Sequence, residues 1–294
     1  MPIERIAILG TGLIGASVGL ALRSHGFHGT IFGWDPNPSQ SAAALSIGAV
    51  TVTAEEPFTA AEQSDVILLA GPVFTILEWL EKLATVLREH QLVTDAGSVK
   101  GALCEHAVQH YNGPGQPGFL PGHPMAGKEV GGAQNADAAL FQDAVWLFTE
   151  CARSEQMNPA ARLLADEWRA WIATIGSRVI DMEPARHDVL CAWISHLPQF
   201  VSTALSALLE DEFAADETLL PIGGRALREM TRLGASPFSM WRDVAHTNTE
   251  AITRSLLALE QRLAHIRENL KTPELRDEFD RANQFRLSER FRKT

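Results

Sequence analysis

Residues 6–15 read Ile-Ala-Ile-Leu-Gly-Thr-Gly-Leu-Ile-Gly, and residues 30–35 read Thr-Ile-Phe-Gly-Trp-Asp. The first stretch is a short β-type run that ends in a glycine turn, and an apolar helical run follows it as far as Leu22. The second stretch is another strand-like run that ends in Asp35. This order of strand, glycine turn, helix, strand and acid is typical of a Rossmann-type dinucleotide-binding unit, whereas the glycines alone would be weak evidence.

Each residue of the turn suits a bound pyrophosphate. Gly10 permits the tight turn, Gly12 lets the backbone approach the phosphates, and Gly15 allows the helix to pack closely on the strand. The helix begins near Leu13 and Ile14, where its free N–H groups and the positive end of its dipole favour anions. We therefore predict that these five residues bind the cofactor.

Asp35 indicates which dinucleotide the unit prefers. Its carboxylate can accept hydrogen bonds from the two ribose hydroxyls of adenosine, and its charge would repel a 2′-phosphate. The predicted cofactor is therefore NAD and not NADP. The alternative is a glycine-rich turn in a Rossmann-like domain that binds no nucleotide.

Composition restricts the other partners. The chain has 294 residues, enough for two domains, and a formal net charge of −11, which argues against nucleic-acid binding through a basic face. Its three cysteines, Cys104, Cys151 and Cys191, are scattered and odd in number. They predict no disulfide framework and no metal site, and they fit a cytoplasmic protein in which they are buried as small apolar residues.

The pattern of the chain changes near residue 183. Strand-like and helical runs alternate from Arg5 to Asp181, which predicts a parallel sheet with crossover helices. No clear strand follows Glu183. We predict an α/β Rossmann-type domain at 1–183 followed by an all-α domain at 184–294.

The helical half contains a nearly uncharged segment, 189–209, that is too apolar for a surface helix. We expect this segment inside the helical domain or at a subunit interface. Three residues near its middle, His196, Pro198 and Gln199, argue against a membrane span.

Five pieces of sequence, in this order, resemble the prephenate/arogenate dehydrogenase family of tyrosine biosynthesis. They are GTGLIGAS, DAGSVK, GHPMAGKE, HD followed by SHLP, and MTRLGAS with MWRD, and they cover nearly the full length. The resemblance implies a nucleotide-binding domain followed by an α-helical dimerisation domain, and therefore a homodimer. It also implies NAD-dependent oxidative decarboxylation of prephenate to 4-hydroxyphenylpyruvate, or of arogenate to tyrosine.

The reaction implied by the resemblance needs a base for a hydroxyl group and a cation for a ring carboxylate. His123 matches the catalytic histidine of the family, and a neutral imidazole suits the task of a base. Ser98 would orient His123 or bind the hydroxyl, or it would cap a helix that begins at Val99. Arg232 matches the substrate-binding arginine, whose guanidinium fits a carboxylate with two parallel hydrogen bonds.

Four more residues are predicted to bind substrate. Ser195 and His196 match residues that line the site in the family. Gln199 stands where many members have a second histidine, so the preference between prephenate and arogenate stays open. Lys128 replaces a frequent Thr or Ser, and it pairs either with a substrate carboxylate or with Glu129 or Asp95. The pair His187-Asp188 is assigned no catalytic role, because an acid near a helix N-terminus needs no functional explanation.

Two other functions remain as alternatives. A different two-domain NAD-dependent hydroxyacid dehydrogenase would use a helical lysine, usually near an asparagine, yet the second half is nearly free of lysine before Lys271. A non-catalytic NAD-binding sensor would keep the fold without turnover, and the joint presence of Ser98, His123 and Arg232 argues against it.

Overall fold

A six-stranded parallel sheet forms the centre of the first half of the chain, with the strand order β3-β2-β1-β4-β5-β6. The computed structural model describes residues 2–288. Strands β1 and β4 lie side by side in the middle of the sheet, where Ile6 pairs with both Ile31 of β2 and Val66 of β4. Their apolar residues are fully buried, as expected for a parallel sheet covered on both faces. The strands are β1 Arg5–Leu9, β2 Thr30–Trp34, β3 Val52–Thr53, β4 Val66–Leu69, β5 Leu92–Asp95 and β6 Gly118–Leu120.

Five helices connect and cover these strands. Two of them, α2 and α3, begin with a proline, which suits the first turn of a helix because its missing N–H would have no partner there. Helix α2 is also capped by Asn37, whose Oδ1 accepts a hydrogen bond from the N–H of Ser39. The helices are α1 Leu13–Ser24, α2 Pro38–Ser46, α3 Pro57–Glu62, α4 Val73–Leu83 and α5 Gly101–Ala107.

A second, three-stranded sheet follows the first and carries the histidine predicted as the base. It consists of β7 Gly122–Pro124, β8 Val145–Phe148 and β9 Arg178–Asp181, in the order β7-β8-β9. Strand β7 runs antiparallel to β8, and β8 runs parallel to β9. The expectation of one parallel sheet as far as Asp181 was therefore wrong, because only Pro121 separates β6 from β7 and the chain passes directly into a new sheet.

The helix α6 Pro159–Thr174 packs against β5 and β6 of the first sheet and β9 of the second, next to the largest buried side chains. Trp146 of β8 and Trp168 of α6 are fully buried there, together with Phe141. Tryptophans of this size bury large apolar areas, so they fix the position of α6 on the sheet.

The second half of the chain is all-helical, as predicted. Helix α7 Pro184–Cys191 continues through a π-helical turn, Ala192–His196, into α8 Leu197–Phe213. The other helices are α9 Leu219–Ile222, α10 Gly224–Thr231, α11 Phe238–Thr247, α12 Thr249–Glu268 and α13 Glu274–Leu287. Within residues 2–288 no helix has the length and apolar character needed to cross a membrane.

The chain divides into two compact units, Met1–Thr249 and Glu250–Thr294. The first unit contains both sheets and the helices up to α11, so the site residues of the two predicted domains lie in one unit. The predicted domain limits at 183 and 184 remain a prediction, and residues 289–294 of the predicted second domain lie outside the described residues.

All three cysteines are buried, as predicted, but the expectation of no disulfide was wrong for two of them. Cys104 of α5 and Cys151, just after β8, are joined in a disulfide with their Cα atoms 5.1 Å apart. Their separation of 47 residues hides this pairing in the sequence, because only the fold brings the two cysteines together. Cys191 is free and buried, as predicted.

The glycine turn offers a test of how tightly β1 and α1 pack. A Cβ at position 15 would collide with the backbone oxygen of Gly10 and lie 2.8 Å from Cγ2 of Ile8, whereas a Cβ at position 12 would meet no atom of residues 2–288 within 4 Å. We expect Gly15→Ala to lower the free energy of unfolding by about 1–3 kcal/mol, because a backbone atom cannot move aside. Gly12→Ala should stay within about 1 kcal/mol of the wild type. Urea-induced unfolding measures both, and equal stabilities of the two variants would contradict the packing argument.

Candidate active site

The carboxyl ends of β1 and β2 form a cradle that fits a dinucleotide. Gly10 has a φ of +101°, a left-handed conformation that glycine adopts without strain. Gly12 leaves open space beside the start of α1, where the first helical N–H groups have no partner within the helix. Close approach of a phosphate therefore meets no side chain at this point.

Asp35 stands at the end of β2 with its carboxylate held by backbone N–H groups. Its Oδ2 accepts from the N–H of Thr11 at 3.0 Å, and its Oδ1 accepts from the N–H of Asn37 at 3.0 Å. Partial burial raises the pKa of Asp35, and these two hydrogen bonds counteract the rise. Each carboxylate oxygen keeps a further lone pair, so the group can still accept from a ribose hydroxyl.

His123 lies on β7 and is almost fully buried, with 7% of its surface exposed. Residues 122–124 form a short strand that pairs His123 with Leu147 of β8. The Nδ1 atom of His123 lies 2.9 Å from Nε2 of His187. The strand and the second histidine together fix the ring.

Asp188 determines which nitrogen of each histidine carries a proton. The Nδ1 atom of His187 lies 2.8 Å from Oδ1 of Asp188, so a proton on Nδ1 is donated to the carboxylate. The Nε2 atom of His187 is then an acceptor and takes a hydrogen bond from the proton on Nδ1 of His123. This leaves Nε2 of His123 with a free lone pair.

Asp188 also caps α5 from another part of the chain. Its Oδ1 accepts from the N–H of Lys100 and its Oδ2 from the N–H of Gly101, both at 2.8 Å. A carboxylate at a helix N-terminus satisfies N–H groups that have no partner in the helix. The prediction that Ser98 caps a helix beginning at Val99 was therefore wrong, because α5 begins at Gly101.

A buried ion pair holds the start of β7 against the end of β5. Nζ of Lys100 forms an ion pair with the carboxylate of Asp95 and donates to the carbonyl oxygen of Gly122 at 2.6 Å. The N–H of Gly122 in turn donates to Oδ1 of Asp95 at 3.1 Å. Both charged side chains are fully buried, so their hydrogen bonds hold Gly122, the residue before His123, firmly in place.

Burial keeps the histidines of the site neutral. It lowers the pKa of His123 well below 6.5, and the neighbouring His187 and Lys100 lower this pKa further. Burial also lowers the pKa of His187, although the Asp188 carboxylate opposes the effect. At neutral pH His123 is therefore in the form that can accept a proton.

Arg232 lies at the start of a 3-10 turn, Arg232–Ala235, after α10, and forms an ion pair with Glu129. Gln199 of α8 holds this turn in place. Its Nε2 donates to the carbonyl oxygen of Leu233 at 2.7 Å, and its Oε1 accepts from Oγ of Ser236 at 3.1 Å. The buried amide of Gln199 is thus occupied by the backbone and side chains around Arg232.

His196 is fully buried at the end of the π-helical turn that also contains the half-buried Ser195. Its Nδ1 lies 3.4 Å from Nδ2 of Asn248, which also donates to the carbonyl oxygen of Asp188 at 2.9 Å. Its Nε2 has no hydrogen-bond partner among the described residues. Burial lowers the pKa of His196 to about 4, so its ring is neutral and has one unused polar atom.

Two predicted site residues, Lys128 and Ser98, form no hydrogen bond with the two histidines in the described part of the chain. Lys128 pairs with Asp137 at 3.2 Å and donates to the carbonyl oxygen of Asn135 at 3.1 Å, and among the described residues it forms no ion pair with Glu129 or Asp95. Ser98 lies in the half-buried bend before α5, and within residues 2–288 its side chain has no hydrogen bond to His123.

Sequence reasoning missed the contribution of His187 and Asp188. The local explanation, an acid at the start of a helix, accounted for Asp188 without reference to any distant residue. The signal that could have found the pair is an adjacent histidine and acid at the entrance to a segment that contains a second histidine.

Two family models match the chain. The nucleotide-binding domain of prephenate dehydrogenase matches residues 18–172, and the dimerization domain of prephenate dehydrogenase matches residues 183–285. The curated prephenate dehydrogenase of Bacillus subtilis is 30% identical over 85% of this chain, and the chain spans 65% of that protein's length, slightly under two thirds.

Solved structures agree with these matches. The prephenate dehydrogenase of A. aeolicus in complex with hydroxyphenyl propionate and NAD+ is 27% identical, with 98% of each chain covered and a TM-score of 0.84. The arogenate dehydrogenase of Synechocystis is 30% identical, with 96% of this chain and 98% of that chain covered and a TM-score of 0.75. With one family model covering more than half of its length, a second covering the helical half, and the same fold in these structures, the chain belongs to the prephenate dehydrogenase family.

Proposed function

We propose that this protein is an NAD-dependent dehydrogenase of tyrosine biosynthesis that oxidatively decarboxylates prephenate or arogenate. The observation that carries the proposal is the neutral, buried His123, whose Nδ1 is held by His187, itself oriented by Asp188, so that its Nε2 is free to accept a proton. The family membership and the arogenate and prephenate dehydrogenases among its structural relatives support the substrate class.

The dinucleotide would lie in the cradle of Gly10, Gly12 and Gly15, with its adenosine ribose at Asp35. When bound, NAD supplies the hydride acceptor for the carbinol carbon of the substrate. The charge of Asp35 supports NAD over NADP, because a 2′-phosphate would lie beside a second anion. The first turn of α1, with Leu13 and Ile14, would donate N–H groups to the phosphates.

His123 would remove the proton of the substrate hydroxyl. Its Nε2 accepts this proton while its Nδ1 proton stays in the hydrogen bond with His187, and the Asp188 carboxylate stabilises the positive charge that develops on the two rings. Loss of CO2 and of the hydride then leaves an aromatic ring. Ser98, at the half-buried bend near the end of β5, is proposed to bind the same hydroxyl.

Arg232 would bind the ring carboxylate of the substrate. Glu129 already occupies one side of its guanidinium, so a substrate carboxylate would replace Glu129 or share the guanidinium with it. Gln199 would act indirectly, by holding the turn that carries Arg232, because its side-chain amide is hydrogen-bonded to Leu233 in that turn and to Ser236 just after it. Ser195 and the unused Nε2 of His196 would complete the substrate pocket. Lys128 would pair with a substrate carboxylate at the edge of that pocket.

The exposed apolar side chains of the helical half support a homodimer, which the dimerization-domain match also favours. Trp193, Ile194, Leu208 and Phe213, on the π turn and α8, are each more than 40% exposed. Large apolar side chains exposed along one helical segment are typical of an interaction face. We further propose a cytoplasmic location, in which the Cys104–Cys151 disulfide would be an exception to the reduced thiols usual there.

The direct test is the initial rate of NADH formation with prephenate and with arogenate at saturating NAD, and of NADPH formation with NADP. We expect turnover of at least one substrate and a higher kcat/KM with NAD than with NADP. Turnover of neither substrate, with NAD bound, would overturn the proposal in favour of another hydroxyacid dehydrogenase or an NAD-binding sensor.

The role of His123 can be tested by His123→Asn, with the exposed His90→Asn as the control. We expect the variant to lose about 10²–10⁴-fold in kcat with NAD affinity unchanged, because a general base contributes a factor of this size. In the wild type the low pKa of His123 means that protonation begins only below its ordinary 6.5. The rate should therefore stay level through pH 6.5 and fall at lower pH, and a kcat unchanged by the substitution would remove His123 as the base.

The role of Arg232 can be tested by Arg232→Ala, with Arg228→Ala on the exposed side of α10 as the control. A hydrogen-bonded charge pair contributes about 1.5–3 kcal/mol, so KM for the substrate should rise about 10–150-fold. KM for NAD should change little in either variant. A similar rise in both constants would show that Arg232 does not bind the substrate carboxylate.

A further inference from the structure

Three potential metal ligands, one of which is the proposed base His123, lie close together in the interior. The proposed reaction does not use all three. One ring nitrogen of His123, one ring nitrogen of His187 and Sγ of Cys191 lie within 4.8 Å of one another, and all three residues are buried. His187 and Cys191 are four residues apart on α7, so both point to the same side of the helix. We call these three residues the histidine–cysteine cluster.

The distances in the histidine–cysteine cluster are close to those of a tetrahedral zinc site. Zinc bonds of about 2.0–2.1 Å to nitrogen and about 2.3 Å to sulfur place neighbouring ligand atoms about 3.3–3.6 Å apart. Sγ of Cys191 is 3.5 Å from Nε2 of His187, and Nδ1 of His123 is 2.9 Å from the same atom. Separation of the two histidine rings by roughly 0.4 Å would bring both of these distances to the values of a zinc site.

Asp188 provides the outer support that metal-bound histidines have in other proteins. It accepts a hydrogen bond from Nδ1 of His187 and leaves Nε2 unprotonated and directed at the cluster. A carboxylate in this position fixes the tautomer and raises the basicity of the ligand nitrogen. The cluster thus has one ligand that needs no loss of a proton before it binds a metal.

The ligand set selects the class of metal. Two imidazoles and one thiolate favour zinc and similar soft or borderline divalent ions, and disfavour magnesium and calcium, which prefer oxygen. Three protein ligands leave the fourth tetrahedral position for water.

We propose that His123, His187 and Cys191 form a binding site for Zn²⁺ or a similar divalent ion, and that the bound ion inhibits the enzyme. The metal takes Nδ1 of His123, so the proton of that ring moves to Nε2, and the thiol proton of Cys191 leaves to solvent. Nε2 then carries a proton and cannot accept one from the substrate. The inhibition, but not the binding, rests on the proposed role of His123 as the base.

Binding can be measured without substrate by titration of the full-length protein with Cd²⁺ or Co²⁺. We expect a thiolate-to-metal charge-transfer band that saturates at one ion per chain. Cys191→Ser should abolish this band and weaken metal binding by at least about tenfold, since loss of outer-shell support alone costs about 10–100-fold. The control His90→Asn removes an exposed histidine and should behave as the wild type.

Inhibition is then measured as the loss of rate on addition of Zn²⁺, relative to the metal-free rate of the same variant. A chelator should restore that rate. Wild type and His90→Asn should be inhibited, and Cys191→Ser should resist at the same zinc concentration. Absence of the charge-transfer band in the wild type, or its persistence in Cys191→Ser, would overturn the site. If Cys191→Ser fails to fold, as judged by circular dichroism, Cys191→Ala replaces it. A band without any turnover of prephenate or arogenate would retain the metal site and refute the proposed function.

Discussion

The ion pair between Lys100 and Asp95 is the contact on which the geometry of the site depends. Both groups are completely removed from solvent, and a buried charge is tolerated only when it is paired and hydrogen-bonded. The pair meets this condition through Gly122, whose carbonyl oxygen and N–H both take part. Loss of either partner would leave an uncompensated charge in the core, beside the residue that precedes His123. The backbone extends this dependence, because the N–H of Lys100 donates to Asp188, which also orients His187 and through it His123.

Local pattern was sufficient for much of the fold. The alternation of strand-like and helical runs indicated a parallel sheet, and the strand, glycine turn and acid in 6–35 indicated the nucleotide-binding unit; the structure has both. The switch to a second sheet after Pro121 was not foreseen, because a three-residue strand has no periodicity to detect. Hydrophobic spacing also cannot tell which sheet a strand will join.

The site was predictable only where the resemblance supplied it. His123 and Arg232 were named from motifs, but the contacts around them come from residues far away in the sequence, such as His187, which lies 64 positions after His123. The helix cap of α5 shows the reason, since Asp188 supplies from a distance what Ser98 was expected to supply locally. The disulfide was missed for the same reason.

The cap of α5 by Asp188 has a consequence for recombination between relatives. The nucleotide-binding and dimerization segments meet between residues 172 and 183, which looks like a natural point for exchange of halves. Yet the acid that caps α5 and the histidine that orients His123 both lie beyond that point. A chimera joined there would take His123, the proposed base, from one parent, and His187 and Asp188, which fix the position of the proton on its ring, from the other. The junction would therefore need to fall after Asp188.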